Sequence, residues 1–287
     1  MWRGLRAWCC QAQSVPRSLT IACALALNGC YAFPMAPDQV QSIGVTNHGV
    51  LRGGTPLPDS GQGYVRARRG EATRYGIPRL VQLLQRAAAD VASAYPGTAP
   101  LRIGDLSAPG GGRHPRHGSH RTGRDADVLF YARDAAGRSV ASRGWVAFNH
   151  LGFGVDRRDG RRQLWFDDAR NWHLVRSLLL DPEAGTQWIF VSRGTKARLL
   201  TYAVANETDS RALLRAAHVL HQPSRGSPHD DHFHLRILCD PEGIAARCRH
   251  RGPIWPWLRG KWEKAPSDAV EPLDDEALLD SLVGEPG

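Results

Sequence analysis

The stretch Pro228–Leu238, PHDDHFHLRIL, constrains the fold more tightly than any other part of the chain. From His232 onward polar and apolar residues alternate. On a β-strand Phe233, Leu235 and Ile237 share one face, and His232, His234, Arg236 and Leu238 share the other. A two-residue period of this kind predicts a strand whose apolar side enters a core. The opposite side then presents two imidazoles roughly 7 Å apart by strand rise. His229, Asp230 and Asp231 crowd the strand's entrance, so a dense set of titratable groups sits beside the core.

The remaining pattern supplies what such a strand packs against. Pro78 opens a helix at a position where its missing N–H costs nothing, and Leu80, Leu83, Leu84, Ala87 and Val91 recur at helical spacing until Tyr95-Pro96-Gly97. Leu101–Leu106 reads as a short strand, Ser107–Gly123 as a Gly- and His-rich loop, and Asp127–Tyr131 as a second strand. Asp159-Gly160 marks a hairpin turn between two apolar runs. Helices are expected over Asn171–Leu180 and Ser210–Leu220, with a strand over Thr186–Val191. Strands and helices intermingle without regular βαβ spacing. The expected class is α+β, with a mostly antiparallel central sheet flanked by helices.

The N-terminus speaks to location. Arg3, Arg6 and Arg17 precede the apolar run Ser18–Leu27, which is too short to span a bilayer as a mature helix, and Asn28-Gly29-Cys30 closes it. This is the layout of a secretory leader over 1–30. Leu27–Cys30 resembles a bacterial lipobox, which predicts a membrane anchor through lipidation of Cys30. Residues 31–61, rich in Gly, Pro, Ser and Gln, are expected to form a flexible tether with a reach on the order of 30 Å. A domain over 62–263 and an acidic, mobile tail over 264–287 complete the layout.

Of six cysteines, only Cys239 and Cys248 lie outside the leader, an even pair suited to one disulfide in an exported protein. The formal charge of +9 attracts polyanions such as nucleic acid, anionic lipid or cell wall. Nucleic acid would account for the charge but for neither the leader nor the histidines.

A second motif, Gly118–Asp127 (GSHRTGRDAD), holds His120 and Asp127. Its glycines argue for a loop that delivers Asp127 to the start of a strand. A loop His, a strand-edge Asp and a His from a neighbouring strand give three ligands and one open position. That is the pattern of a catalytic zinc site, here expected at the sheet edge. Zinc would make water nucleophilic near neutral pH and polarise a carbonyl.

Together, SHRTGRDAD and the downstream HDDHFHLRI resemble the penicillin-insensitive murein endopeptidases, zinc peptidases whose fold is shared with D-Ala-D-Ala carboxypeptidases. The likeness spans roughly Tyr64 to Cys248. It implies His120, Asp127 and His234 as zinc ligands, and His232 and His229 as catalytic groups beside the metal. It also implies periplasmic action on peptidoglycan peptides, at the D-alanyl–diaminopimelyl cross-link, and it supports pairing of Cys239 with Cys248. A D,D-carboxypeptidase, or a wall-binding lipoprotein with a structural zinc, are the alternative readings. Asp125 or Asp230 could fix imidazole tautomers.

Other conspicuous residues have plainer readings. His114 and His117 are expected to face solvent, with a metal contact for His117 as the alternative. Pro109–Arg113 lacks the Lys-Ser/Thr of a phosphate cradle. Arg157, Arg158, Arg161 and Arg162 are either solvated or holders of wall carboxylates. Trp255, Trp257 and Trp262 are expected to cap the core rather than bind glycan.

Overall fold

The computed structural model describes residues 40–224 and 226–262. The leader, residue 30 and the acidic tail lie outside the described residues. The observed class is α+β with mostly antiparallel strands, as the patterning implies.

A seven-stranded sheet organises the domain. Its order is Leu220–His221, Thr186–Phe190, His232–Ile237, Asp125–Leu129, Leu101–Ile103, Tyr64–Arg66 and Ser60–Gly61. All its pairings are antiparallel except those of Thr186–Phe190 with Leu220–His221 and of Tyr64–Arg66 with Leu101–Ile103. The strand His232–Ile237 is therefore internal to the sheet. Phe233, Leu235 and Ile237 are fully buried in the core. A smaller four-stranded sheet contains the expected hairpin, Phe153–Asp156 with Arg162–Phe166.

Helix α1 (Pro78–Ala94) buries Leu80, Leu83, Leu84, Ala87 and Val91, the stripe read from the sequence. It packs against α2 (Asp168–Leu180), which in turn packs against α3 (Arg193–Asn206) and α4 (Ser210–Val219). Asp167 caps α2 by accepting from Arg170 N–H. Helix α3 has no counterpart in the sequence reading. Its buried residues are only Thr195, Leu199 and Ala203, a stripe too narrow and polar to announce itself, and Ser192 caps it by accepting from Thr195 N–H. The disulfide Cys239–Cys248 forms, closing the segment that follows the His232–Ile237 strand.

The expected tether is corrected where it is described. Gln41–Val45 and His48–Arg52 form an antiparallel hairpin, and Leu51 and Leu57 are buried. The hairpin is sewn to the body through its backbone. Gly44 N–H donates to Arg247 O at 2.9 Å, Arg249 N–H to Gly44 O at 3.0 Å, and Leu51 N–H to Gly110 O at 3.1 Å. Attachment by main-chain bonds and one or two leucines leaves no hydrophobic period to read, which is why the segment looked structureless.

Of the three tryptophans expected to cap the core, Trp255 is buried in it and Trp257 packs against it, while Trp262, 2% exposed, is covered by Arg79, whose Cζ lies 4.5 Å from its ring. Arg157, Arg158 and Arg161 are exposed at the hairpin tip, while Arg162 pairs with Asp134 at 3.4 Å.

Candidate metal centre

Register brings the two motifs together. Strands Asp125–Leu129 and His232–Ile237 pair antiparallel with His234 opposite Asp127 and Arg236 opposite Asp125. Directly opposed residues point to the same side of a sheet, so Asp127 and His234 meet. The strands are the third and fourth of seven, so the group sits on the inner strands and not on an outer one.

His120 reaches the same place from the loop. Its backbone adopts φ +61°, uncommon for a non-glycine residue, and its N–H donates to Asp125 Oδ2 at 3.1 Å. Gly123 fixes the following turn at φ +73°. A Cβ there would lie 2.8 Å from Leu51 Cδ1, so the buried hairpin leucine seats this loop. His229 is the other imidazole held at positive φ, +55°, and its carbonyl accepts from Ser192 N–H at 3.0 Å.

Asp127 is the hub. Its Oδ1 lies 3.1 Å from His120 Nε2, 3.3 Å from His234 Nδ1 and 3.4 Å from His232 Nε2, and its Oδ2 lies 3.2 Å from His117 Nε2. Two atoms each about 2.0–2.1 Å from a tetrahedral zinc are themselves about 3.3 Å apart. The spacing of these donors is thus the spacing of ligands. Among the described residues, both Asp127 oxygens, both His120 ring nitrogens, His232 Nε2 and His234 Nε2 are buried without a hydrogen-bond partner. Buried polar atoms are seldom left so, and the converging ones, Asp127 Oδ1, His120 Nε2 and His232 Nε2, fit a metal ion; the unpartnered His234 Nε2 faces Asp125, and it is Nδ1 that meets Asp127. The donor sets His117–His120–Asp127 and His229–His232–His234 each bring their ligand atoms within 4.8 Å of one another.

Charge follows burial and neighbours. Burial alone would raise Asp127, yet His120 and His232 hold its carboxyl well below the ordinary range. Burial opposes the charge on His232, but Asp127 and Asp231 outweigh it and lift the imidazole to about 10. His234 and His229 go the other way, to about 4, mainly through burial.

The expected orienting groups divide. Asp125 does lie behind the site, pairing with Arg236 at 2.6 Å and approaching His234 Nε2 at 3.5 Å. For His232 the partner is Asp231, whose Oδ1 is 2.5 Å from Nδ1, whereas Asp230 offers its backbone carbonyl to Phe148 N–H. A second correction concerns the Gly-rich loop. His114 is 5% exposed rather than solvent-facing, because its ring packs on those of His117 and His120 at 4.7 and 5.4 Å. His117 itself contacts both Asp105 and Asp127.

Two aromatic residues that the sequence reading passed over wall the group. Trp145 meets the His232 ring edge-on at 4.9 Å, and Phe190 lies 5.4 Å from His234.

A profile described as penicillin-insensitive murein endopeptidase matches residues 42–256, which includes both motifs. The chain belongs to the penicillin-insensitive murein endopeptidase family. The match begins at Ser42, inside the hairpin, so the family's domain takes in the segment expected to be a tether. A protein of that name from Klebsiella pneumoniae subsp. pneumoniae is 40% identical over 220 residues, 74% of this chain and 71% of that one. One from Escherichia coli O139:H28 is 37% identical over 215 residues, covering 72% and 70%. The Haemophilus influenzae protein is 27% identical over 225 residues, covering 77% and 71%. Membership in this murein endopeptidase family makes the chain a peptidase.

Proposed function

We propose that this chain is a zinc-dependent endopeptidase that hydrolyses peptidoglycan cross-links of the D-alanyl–diaminopimelyl type. The observation that carries the reading is the convergence of His120 and His234 on one oxygen of Asp127. Family membership supports peptidoglycan peptides as the substrate, since the relatives are named for murein. Action outside the cytoplasmic membrane, in the periplasm, agrees with the Cys239–Cys248 disulfide. Lipidation at Cys30 belongs to the proposal too. Among the described residues no helix is long and apolar enough to cross a membrane.

In this reading His120, Asp127 and His234 would hold the ion, and His117, its Nε2 3.2 Å from Asp127 Oδ2, is a further donor at hand. Zinc, when bound there, supplies Lewis acidity toward the scissile carbonyl and makes water acidic near neutral pH. The remaining work falls to the chain. His232, with Nε2 3.4 Å from Asp127 Oδ1 and Nδ1 held by Asp231, is placed to exchange a proton at Nε2. It is the group suited to take a proton from the attacking water and return it to the leaving amine. Asp231 fixes the ring through Nδ1. His229, kept neutral at pH 7 mainly by burial, can donate a hydrogen bond to the carbonyl oxygen.

The test uses purified cross-linked muropeptide dimers beside monomeric pentapeptides. The reading expects dimers to be converted to monomers, with no release of terminal alanine from pentapeptides. Release of terminal alanine alone would assign a carboxypeptidase instead, and inertness toward both would reject the reading.

A further inference from the structure

The wall formed by Trp145 is built rather than incidental. Its indole stands over Gly104, where a Cβ would come within 2.6 Å of the ring and 3.2 Å of Asp127 Cβ. Only the absence of a side chain at Gly104 lets an aromatic ring lie this close to the carboxylate hub. The loop that carries Trp145 is pinned from below. Gly144 N–H donates to buried Asp156 at 3.2 Å, Arg143 N–H donates to the same carboxylate, and Arg102 donates to the carbonyls of Ser142 and Gly144. Phe148 N–H donates to Asp230 O at 2.9 Å, tying the loop to the turn that holds His229 and His232.

Against this indole lies a guanidinium. Arg68 Cζ is 5.8 Å from the Trp145 ring centroid, and its side chain is 25% exposed. Its acidic neighbours are distant for hydrogen bonding, with Glu71 3.7 Å from Nη1 and Asp105 3.6 Å from the buried Nε. Asp105 does not depend on it. Arg116 donates to that carboxylate at 2.6 and 2.8 Å, and Thr73 at 2.7 Å. The opposite wall is different. Arg236 lies over Phe190 at 5.1 Å, but it is spent on Asp125 at 2.6 Å. A part-exposed guanidinium with no acidic oxygen within hydrogen-bond distance therefore flanks the Trp145 side of the site.

We propose that Trp145 and Arg68 form a subsite that binds a free carboxylate on the amine side of the scissile bond. The inference rests on the proposed murein reading. In a D-alanyl–diaminopimelyl link, the residue that supplies the amine carries a carboxylate on the carbon next to the acylated nitrogen. The carbonyl side offers only a methyl group there. Trp145 fixes the orientation by packing the aliphatic stem, and Arg68 reads the charge. Substrate whose carboxylate is converted to a carboxamide keeps the shape and loses the recognised group.

The experiment compares dimers bearing free carboxylates with the same dimers amidated, in wild type, Arg68→Gln, Arg68→Lys and Trp145→Ala. Wild type is expected to favour the free acid by about 10–100-fold in kcat/KM. Arg68→Gln should erase that preference, chiefly through KM, and Arg68→Lys should restore part of it. Trp145→Ala should weaken turnover of both substrates. Metal content and melting temperature serve as controls for folding. Equal cleavage of acid and amide by wild type, or a preference that survives Arg68→Gln, overturns the subsite. Should wild type cleave neither dimer, the proposed function fails. Calorimetric binding of the two dimers to wild type and Arg68→Gln would then decide the subsite separately, by the same difference.

Discussion

Asp231 Oδ1 lies 2.5 Å from His232 Nδ1, and this contact turns the ring's Nε2 toward Asp127 at 3.4 Å. A carboxylate that fixes one imidazole nitrogen determines what the other can do. Asp231→Asn should therefore keep bound metal while lowering kcat by about 10–100-fold, the range seen when such orienting partners are removed. Metal analysis with steady-state rates checks this. A variant with unchanged kcat would remove Asp231 from the mechanism.

His232 carries the proton in this account and is not assigned as a ligand. His232→Ala is expected to retain zinc and lose about 10²–10⁴-fold in turnover. Loss of zinc in step with activity would instead make His232 a ligand, as its 3.4 Å approach to Asp127 would then require.

Leu51 couples the N-terminal hairpin to the metal loop. It is 1% exposed and packs against the positions that Gly123 and Gly111 leave open. Leu51→Ala should cost about 2–5 kcal/mol of stability and loosen the loop that carries His120. Denaturant unfolding measures the first effect. Deletion of residues up to Arg52 should be worse still, whereas a dispensable tether would show no change.

Acid should weaken the fold through histidines remote from catalysis. Burial, and secondarily Arg124, lowers His250, while burial with Lys196 and Arg193 lowers His221. The unfolded chain takes up protons near the ordinary value of about 6.5 that these folded imidazoles refuse. Their contribution is thus fully present above that pH and is lost as pH falls below it. Melting temperature should drop between pH 7.5 and 5.5, and His250→Gln should flatten the drop. Each 1 kcal/mol corresponds to about 2–4 °C for a domain of this size. An identical pH dependence in the variant would contradict the assignment.

What the sequence made legible follows from period and spacing. The alternation of Phe233, Leu235 and Ile237 and the stripe Leu80–Val91 are local patterns, and both elements form as read. His120, Asp127 and His234 stood out because ligand residue types in two compact motifs are visible without coordinates. Register was not visible, because the pairing of His234 with Asp127 joins distant strands. His114 was misread because a Gly-rich loop normally faces water, and only the stacked rings of His117 and His120 bury it. Trp145 carries no periodic signal at all. Its position depends on Gly104 lacking a side chain and on Asp156 holding its loop, and both are properties of the folded backbone.

The most direct test of the central claim is the zinc content of the purified full-length chain, compared with His120→Ala, Asp127→Asn and His234→Ala. The account predicts about one zinc per chain in wild type and its loss in each variant, with circular dichroism spectra unchanged. Zinc retained at wild-type level by folded Asp127→Asn and His234→Ala would contradict it, since the ion would then lie elsewhere.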